Sequence, residues 1–248
     1  MVFSPRAAIA DVAIAQAGER AIQAGTTQAT TALAGEYDNT VSSTSSTASS
    51  SSQLVSNISP AGETVSVTLS AANAAGCGTL AYAAAGTDLV SGTPLTFQVT
   101  VPTPVRVQAL FSLQETMSSG HDEAFFALAD ATNTANEFNI LDAGYGSNVA
   151  GAAPWEPDTP FDQTVTLQPG HVYWFWWLVQ LTATDSVTCN GQSGSLQFST
   201  SLTFESGGSD GGTGPAPAPA VPPLGGGALA VLIGVAGTAL SRRRSDRG

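Results

Sequence analysis

Apolar and polar residues alternate along much of the chain. In ETVSVTLS (63–70), Val65, Val67 and Leu69 share one face, and Thr64, Ser66 and Thr68 share the other. The same period of two marks PLTFQVTV (94–101), VRVQALFSL (105–113), FDQTVTL (161–167) and SLQFSTSLTF (195–204). One apolar and one polar face is the signature of a strand packed on a core from one side. EAFFALAD (123–130), EFNILDAG (137–144) and GTLAYAAAG (78–86) add shorter strand candidates. Turn signals fall between them at SGTP (91–94), QPG (168–170) and NGQSG (190–194). About eight strands at this spacing predict an all-β protein: an antiparallel β-sandwich, with a jelly roll as one arrangement.

HVYWFWWLVQL (171–181) breaks the pattern, because both of its faces are apolar. That predicts a strand covered on both sides, or half-covered by a loop or helix. With Leu167, Pro169, Gly170 and Tyr173 before and within it, the segment is similar to the penultimate hairpin of secreted bacterial sandwich domains. It is therefore expected to pair with 161–167. Residues 26–59 are rich in serine and threonine and poor in apolar residues. They fit a flexible linker or edge strands equally well. Residues 7–24 fit a short helix or a first strand.

Charge changes the picture. Residues 1–221 carry three arginines and eighteen carboxylates, and the chain contains no lysine. Such a body lacks the basic face that phosphate backbones require, so nucleic acid is excluded as a partner. Cys77 and Cys189 are the two cysteines, and no histidine stands near either. They are too few for a structural zinc site and are expected to form a disulfide in an oxidising compartment.

The chain closes with a different grammar. GGSDGGTGPAPAPA (207–220) is a linker that cannot build a core. Val221, Pro222, Pro223 and Leu224 follow it, then an uncharged run from Leu224 to Leu240, then Arg242, Arg243 and Arg244. As a helix, ~17 residues span ~25 Å, at the short end for a bilayer crossing. The arginines would stay cytoplasmic and leave the acidic body on the other side.

This order resembles the tripartite C-terminal sorting signals of bacterial surface proteins, the PEP-CTERM group. The stretch at 221–224 is most similar to the Ile-Pro-Thr-Leu variant. It lacks Pro-Glu-Pro and a following tryptophan. Gly225, Gly226 and Gly227 also resemble the Gly-Gly tails handled by rhomboid-type proteases. The resemblance implies an exported envelope protein, anchored in the inner membrane until an exosortase-type or rhomboid-type enzyme removes the tail. Its implied partners are the membrane, that sorting protease or transpeptidase, and exopolysaccharide. AAIA before Asp11 looks like a small-x-small cleavage site, so residues 1–25 are read as the end of an export signal or as an alanine-rich helix.

The expected layout is thus an N-terminal segment at 1–25, a Ser/Thr segment at 26–59 and a sandwich at 60–206. A linker at 207–220 and an anchor at 221–248 complete it. The one Gly-x-Ser-x-Gly pattern, at 207–211, falls in the linker and so is no nucleophile elbow, and the sequence carries no glycine-rich phosphate loop, so the body is read as non-catalytic and without a cofactor. Asp122, Glu123 and Asp130 offer oxygen ligands for Ca²⁺ but match no EF-hand loop. Trp155, in the Pro-rich stretch APWEPDTP (153–160), is the candidate exposed ring for sugar stacking. A carbohydrate-binding module is therefore the alternative function, and a secreted hydrolase the second alternative.

Overall fold

The computed structural model describes residues 12–16, 20–31, 35–44, 48–73, 79–87, 94–116, 122–132, 138–146, 152–185 and 191–205. All regular structure in them is β-strand. Cys77, Cys189, the run from Leu224 to Leu240 with its expected helix, and the arginine cluster lie outside the described residues.

Two antiparallel sheets form a sandwich-like body. The second sheet is simple: β12 (Phe161–Leu167), β9 (Thr103–Glu115), β14 (Ser193–Phe204), β6 (Gly62–Asn73), β5 (Ala48–Ser59) and β4 (Gly35–Thr44) lie side by side. In the first sheet, β13 (Tyr173–Asp185) is central. β10 (Glu123–Asp130) flanks it on one side and carries β11 (Phe138–Tyr145) outside it.

The other flank of β13 is shared by two strands. β7 (Thr79–Gly86) pairs with Leu178 to Asp185, and β8 (Leu95–Val99) pairs with Tyr173 to Phe175. Because β10 occupies the opposite side of β13, β7 and β8 are collinear halves of one row. The next row is divided at the same level, with β2 (Arg20–Ala24) on β7 and β1 (Val12–Gln16) on β8. β3 (Thr27–Thr31) closes this edge.

The predicted alternation produces the core. Val65, Val67, Leu69, Phe111 and Phe198 point inward from the second sheet and meet Phe97, Phe126, Phe175 and Trp177 from the first. Each such side chain contributes about 1.5–3 kcal/mol when taken fully out of water. The Ser/Thr-rich stretch contributes β3, β4 and β5. In β5, Ala48, Ser50, Ser52, Leu54, Ser56 and Ile58 form the buried row. Small hydroxyls are tolerated inward where they find a partner, as Ser52 Oγ does by donating to Ala84 O at 2.9 Å. β5 turns into β6 through a tight hairpin in which Ser59 faces Gly62. Gly62 has φ +133°, and a Cβ there would lie 1.8 Å from the Leu202 carbonyl oxygen, so only glycine fits.

One expectation is corrected. β12 and β13 do not form a hairpin: β12 pairs with β9 in the second sheet, and β13 pairs within the first. Leu167 and Tyr173 both turn into the core, so the intervening turn carries the chain from one sheet to the other. Gly170 adopts φ +85° in it. The Tyr173 hydroxyl accepts from Gln168 N at 2.9 Å and donates to Gln168 O at 3.0 Å, which pins the crossing.

Candidate functional site

β13 is apolar on both faces for two separate reasons. Tyr173, Phe175, Trp177, Val179 and Leu181 belong to the core. Trp174, Trp176 and Leu178 point the other way, onto the outer face of the first sheet, and remain half-buried there. Their cover includes large and small residues of the adjoining strand. Leu178 faces Phe125, Trp176 faces Ala127, and Trp174 faces Ala129 in the β10 register. Ala127 and Ala129 are buried although they point outward, because bulky neighbours close over short ones. Phe125 and Trp176 meet edge to face at 6.0 Å. Trp176 Nε1 is buried without a hydrogen-bond partner among the described residues.

This aromatic strip ends in a polar group. Gln180 lies opposite Glu123, and the Tyr82 hydroxyl donates to Gln180 Oε1 at 3.3 Å. Burial, followed by the charge of Glu123, pushes the Tyr82 phenol far above its ordinary range, so it stays a neutral donor. Asp122 Oδ1 accepts from Thr182 N at 2.8 Å. Gly146 packs on this corner with φ +108°, where a Cβ would stand 2.3 Å from Asp122 O. The strip thus carries the half-buried Trp174 and Trp176 rings along its length and the half-buried Gln180 amide at one end, with Asp122 and Glu123 buried beneath that end.

At the other end of β10, the Asp130 Oδ2 atom lies 2.5 Å from His171 Nδ1. Asp130 Oδ1 accepts from Thr132 N at 3.0 Å. Burial alone would raise the Asp130 carboxyl, but the Thr132 and His171 bonds outweigh it and hold it below the usual carboxylate range. The pair ties the β12–β13 crossing to the end of β10. Nothing in the alternation pattern signals it, since 41 residues separate its members.

Two expectations about site residues change. Asp122, Glu123 and Asp130 do not converge, because Asp122 precedes and Glu123 begins an eight-residue strand that Asp130 ends. At ~3.3 Å per residue the two ends are roughly 23 Å apart, far beyond a shared Ca²⁺ shell. Trp155 is not an exposed ring: it is 4% accessible and contacts Phe111, Phe126 and Phe198 at centroid distances of 4.7, 5.4 and 6.3 Å. Its Nε1 donates to Thr159 O at 2.7 Å, so the Pro-rich loop folds its own tryptophan into the core.

No family model matches the sequence, and no curated protein matches it. A solved structure described as Eiger TNF from S. frugiperda is similar over 58% of this chain and 97% of that chain, with 12% identity and a TM-score of 0.23. A likeness of that size carries no argument about fold or function.

Proposed function

We propose that the protein is an exported, non-catalytic envelope protein. Its body is a jelly roll, and its C-terminal tail sorts or anchors it. The observation that carries the reading is the tail itself. An acidic, lysine-free body is followed by a Gly/Pro linker, Val221–Leu224, an uncharged run to Leu240 and Arg242–Arg244. In lipid such a run must close its own backbone bonds, which favours a helix. The strand framework makes its last described bond from Glu205 N to Pro104 O at 2.9 Å, and the linker follows directly. The jelly-roll reading is supported by strand order: β6-β14-β9-β12 in one sheet and β7/β8-β13-β10-β11 in the other alternate along the chain as two nested Greek keys would.

Fractionating the native host, with mass spectrometry of the mature C-terminus, tests the function. The protein is expected in the envelope or outside the cell, and Arg242–Gly248 is expected to be absent from the mature form. A reporter fused to residues 221–248 is expected at the membrane. An intact tail on a soluble cytoplasmic protein overturns the proposal.

The outer strip of β13 favours a second reading, a surface that holds glycan chains. Indole faces stack on the apolar faces of pyranose rings, and Trp174 and Trp176 are the half-buried indoles on this strip. Trp174→Ala is expected to reduce binding to a polysaccharide column at least ~10-fold, since losing ~1.4 kcal/mol of contact is a tenfold loss. Trp155→Phe is expected to leave binding unchanged. Unaltered retention of Trp174→Ala removes the reading.

A further inference from the structure

Two charged side chains sit inside the sandwich on rows that are otherwise apolar. Arg20 shares the inward row of β2 with Ile22 and Ala24, and Glu63 shares that of β6 with Val65 and Val67. Both are 1% accessible, and they come from opposite sheets. Arg20 Nη1 reaches across to the second sheet, donating to Gly35 O at 3.1 Å and Ser56 Oγ at 2.9 Å. Its guanidinium carbon stands 5.8 Å from the Tyr37 ring centroid. Glu63 Oε1 accepts from Trp177 Nε1 at 3.5 Å, across the same gap between sheets.

Each group has one atom left over. Among the described residues, Arg20 Nε and Glu63 Oε2 are buried without a hydrogen-bond partner, and the two side chains make no ion pair. A buried unpaired polar atom is strongly unfavourable, more so when it carries charge. The structure therefore holds a cation and a carboxyl group near enough to sense each other but bonded elsewhere. Their neighbours are Tyr37 from β4, Ser56 from β5 and Trp177 from β13, and Tyr37 is the ionisable side chain that acts on Arg20 besides Glu63.

We propose that Glu63 is a proton-operated clasp between the sheets: protonated, it leaves Arg20 on Gly35 and Ser56; ionised, it draws Arg20 away and loosens the start of β4. Burial pushes the Glu63 carboxyl up to about 7, against the opposing pull of the Arg20 charge and the Trp177 bond. The folded carboxyl thus keeps its proton to higher pH than the unfolded one, whose ordinary value is 4.5. The stability tied to this proton is complete below the unfolded value and is lost as pH rises through the folded one.

Two measurements on the full chain test the clasp. Carboxyl ¹³C NMR is expected to show Glu63 titrating near 7. Hydrogen exchange, corrected for intrinsic rates, is expected to show protection in β4 and β5 falling about tenfold from roughly pH 5 to pH 9. Glu63→Gln is expected to abolish that fall. An ordinary carboxylate midpoint, or the same fall in Glu63→Gln, overturns the proposal. The titration uses the parent protein alone and decides the matter even if the variant fails to fold.

Discussion

Trp155→Ala is expected to destabilise the body by about 3–5 kcal/mol, the usual penalty for deleting a buried large aromatic. For a body of this size that corresponds to a fall in Tm of roughly 6–20 °C, read by circular dichroism. The reason is position. Phe126 belongs to the first sheet, and Phe111 and Phe198 to the second, so the Trp155 ring joins both. Phe126 also meets Phe161 at 4.7 Å, which extends the cluster to β12. Backbone bonds from Gly144 N to Ala153 O at 2.9 Å and from Trp155 N to Gly144 O at 3.0 Å fix the loop against β11. Trp155→Phe is expected to retain most of the stability and lose the indole bond to Thr159, at about 1 kcal/mol. If Trp155→Ala melts within a degree or two of the parent, the ring is not the wedge described.

The second large effect concerns Cys77 and Cys189. We propose that they are joined by a disulfide. Cys77 lies between β6 and β7, and Cys189 between β13 and β14, outside the described residues. The described ends of both connections are neighbours. Asn73 N donates to Gln192 O at 2.8 Å, Gln192 N donates to Asn73 Oδ1 at 2.6 Å, and Thr79 faces Asp185 in the β7–β13 register. A bridge across ~110 residues restricts the unfolded chain strongly, by about 4.7 kcal/mol in the chain-entropy account. The intact mass before reduction is expected to be lower by the two thiol hydrogens. Reduction, or the Cys77→Ala, Cys189→Ala double variant, is expected to lower the unfolding midpoint in urea. Two free thiols on protein recovered from outside the cytosol, or equal midpoints with and without reductant, would rule the bridge out.

Much of the fold was legible in the alternation. Val65–Val67–Leu69, Val107–Ala109–Phe111 and Leu196–Phe198 all face the core as their parity requires. A period of two reports which face is buried but not which strand lies alongside. That is why 161–167 and 171–181 looked like a hairpin although they belong to different sheets. The Ser/Thr-rich stretch is ambiguous in sequence because half of the inward row of β5 is serine, which is equally at home in a linker. The burial of Trp155 is not legible in the sequence, because a Pro-rich context suggests solvent and its partners are far away along the chain. Arg20 and Glu63 do carry a signal in the sequence. Glu63 has the parity of Val65, and Arg20 that of Ile22, so each is a charged residue at a position reserved for an apolar one. The order of residues alone did not place them across from each other.

The division of two adjoining rows at one level, β1 from β2 and β7 from β8, has a practical meaning. Each half is held in register by its own ladder, Val12 on Val99 and Ile14 on Phe97 for one, Ala21 on Gly86 and Ala24 on Ala83 for the other. The sheet therefore sets no fixed chain length between the halves. The registers of β7 and β8 on β13 therefore do not depend on how many residues stand between them, and a change in that number would leave every pairing of both strands as it is.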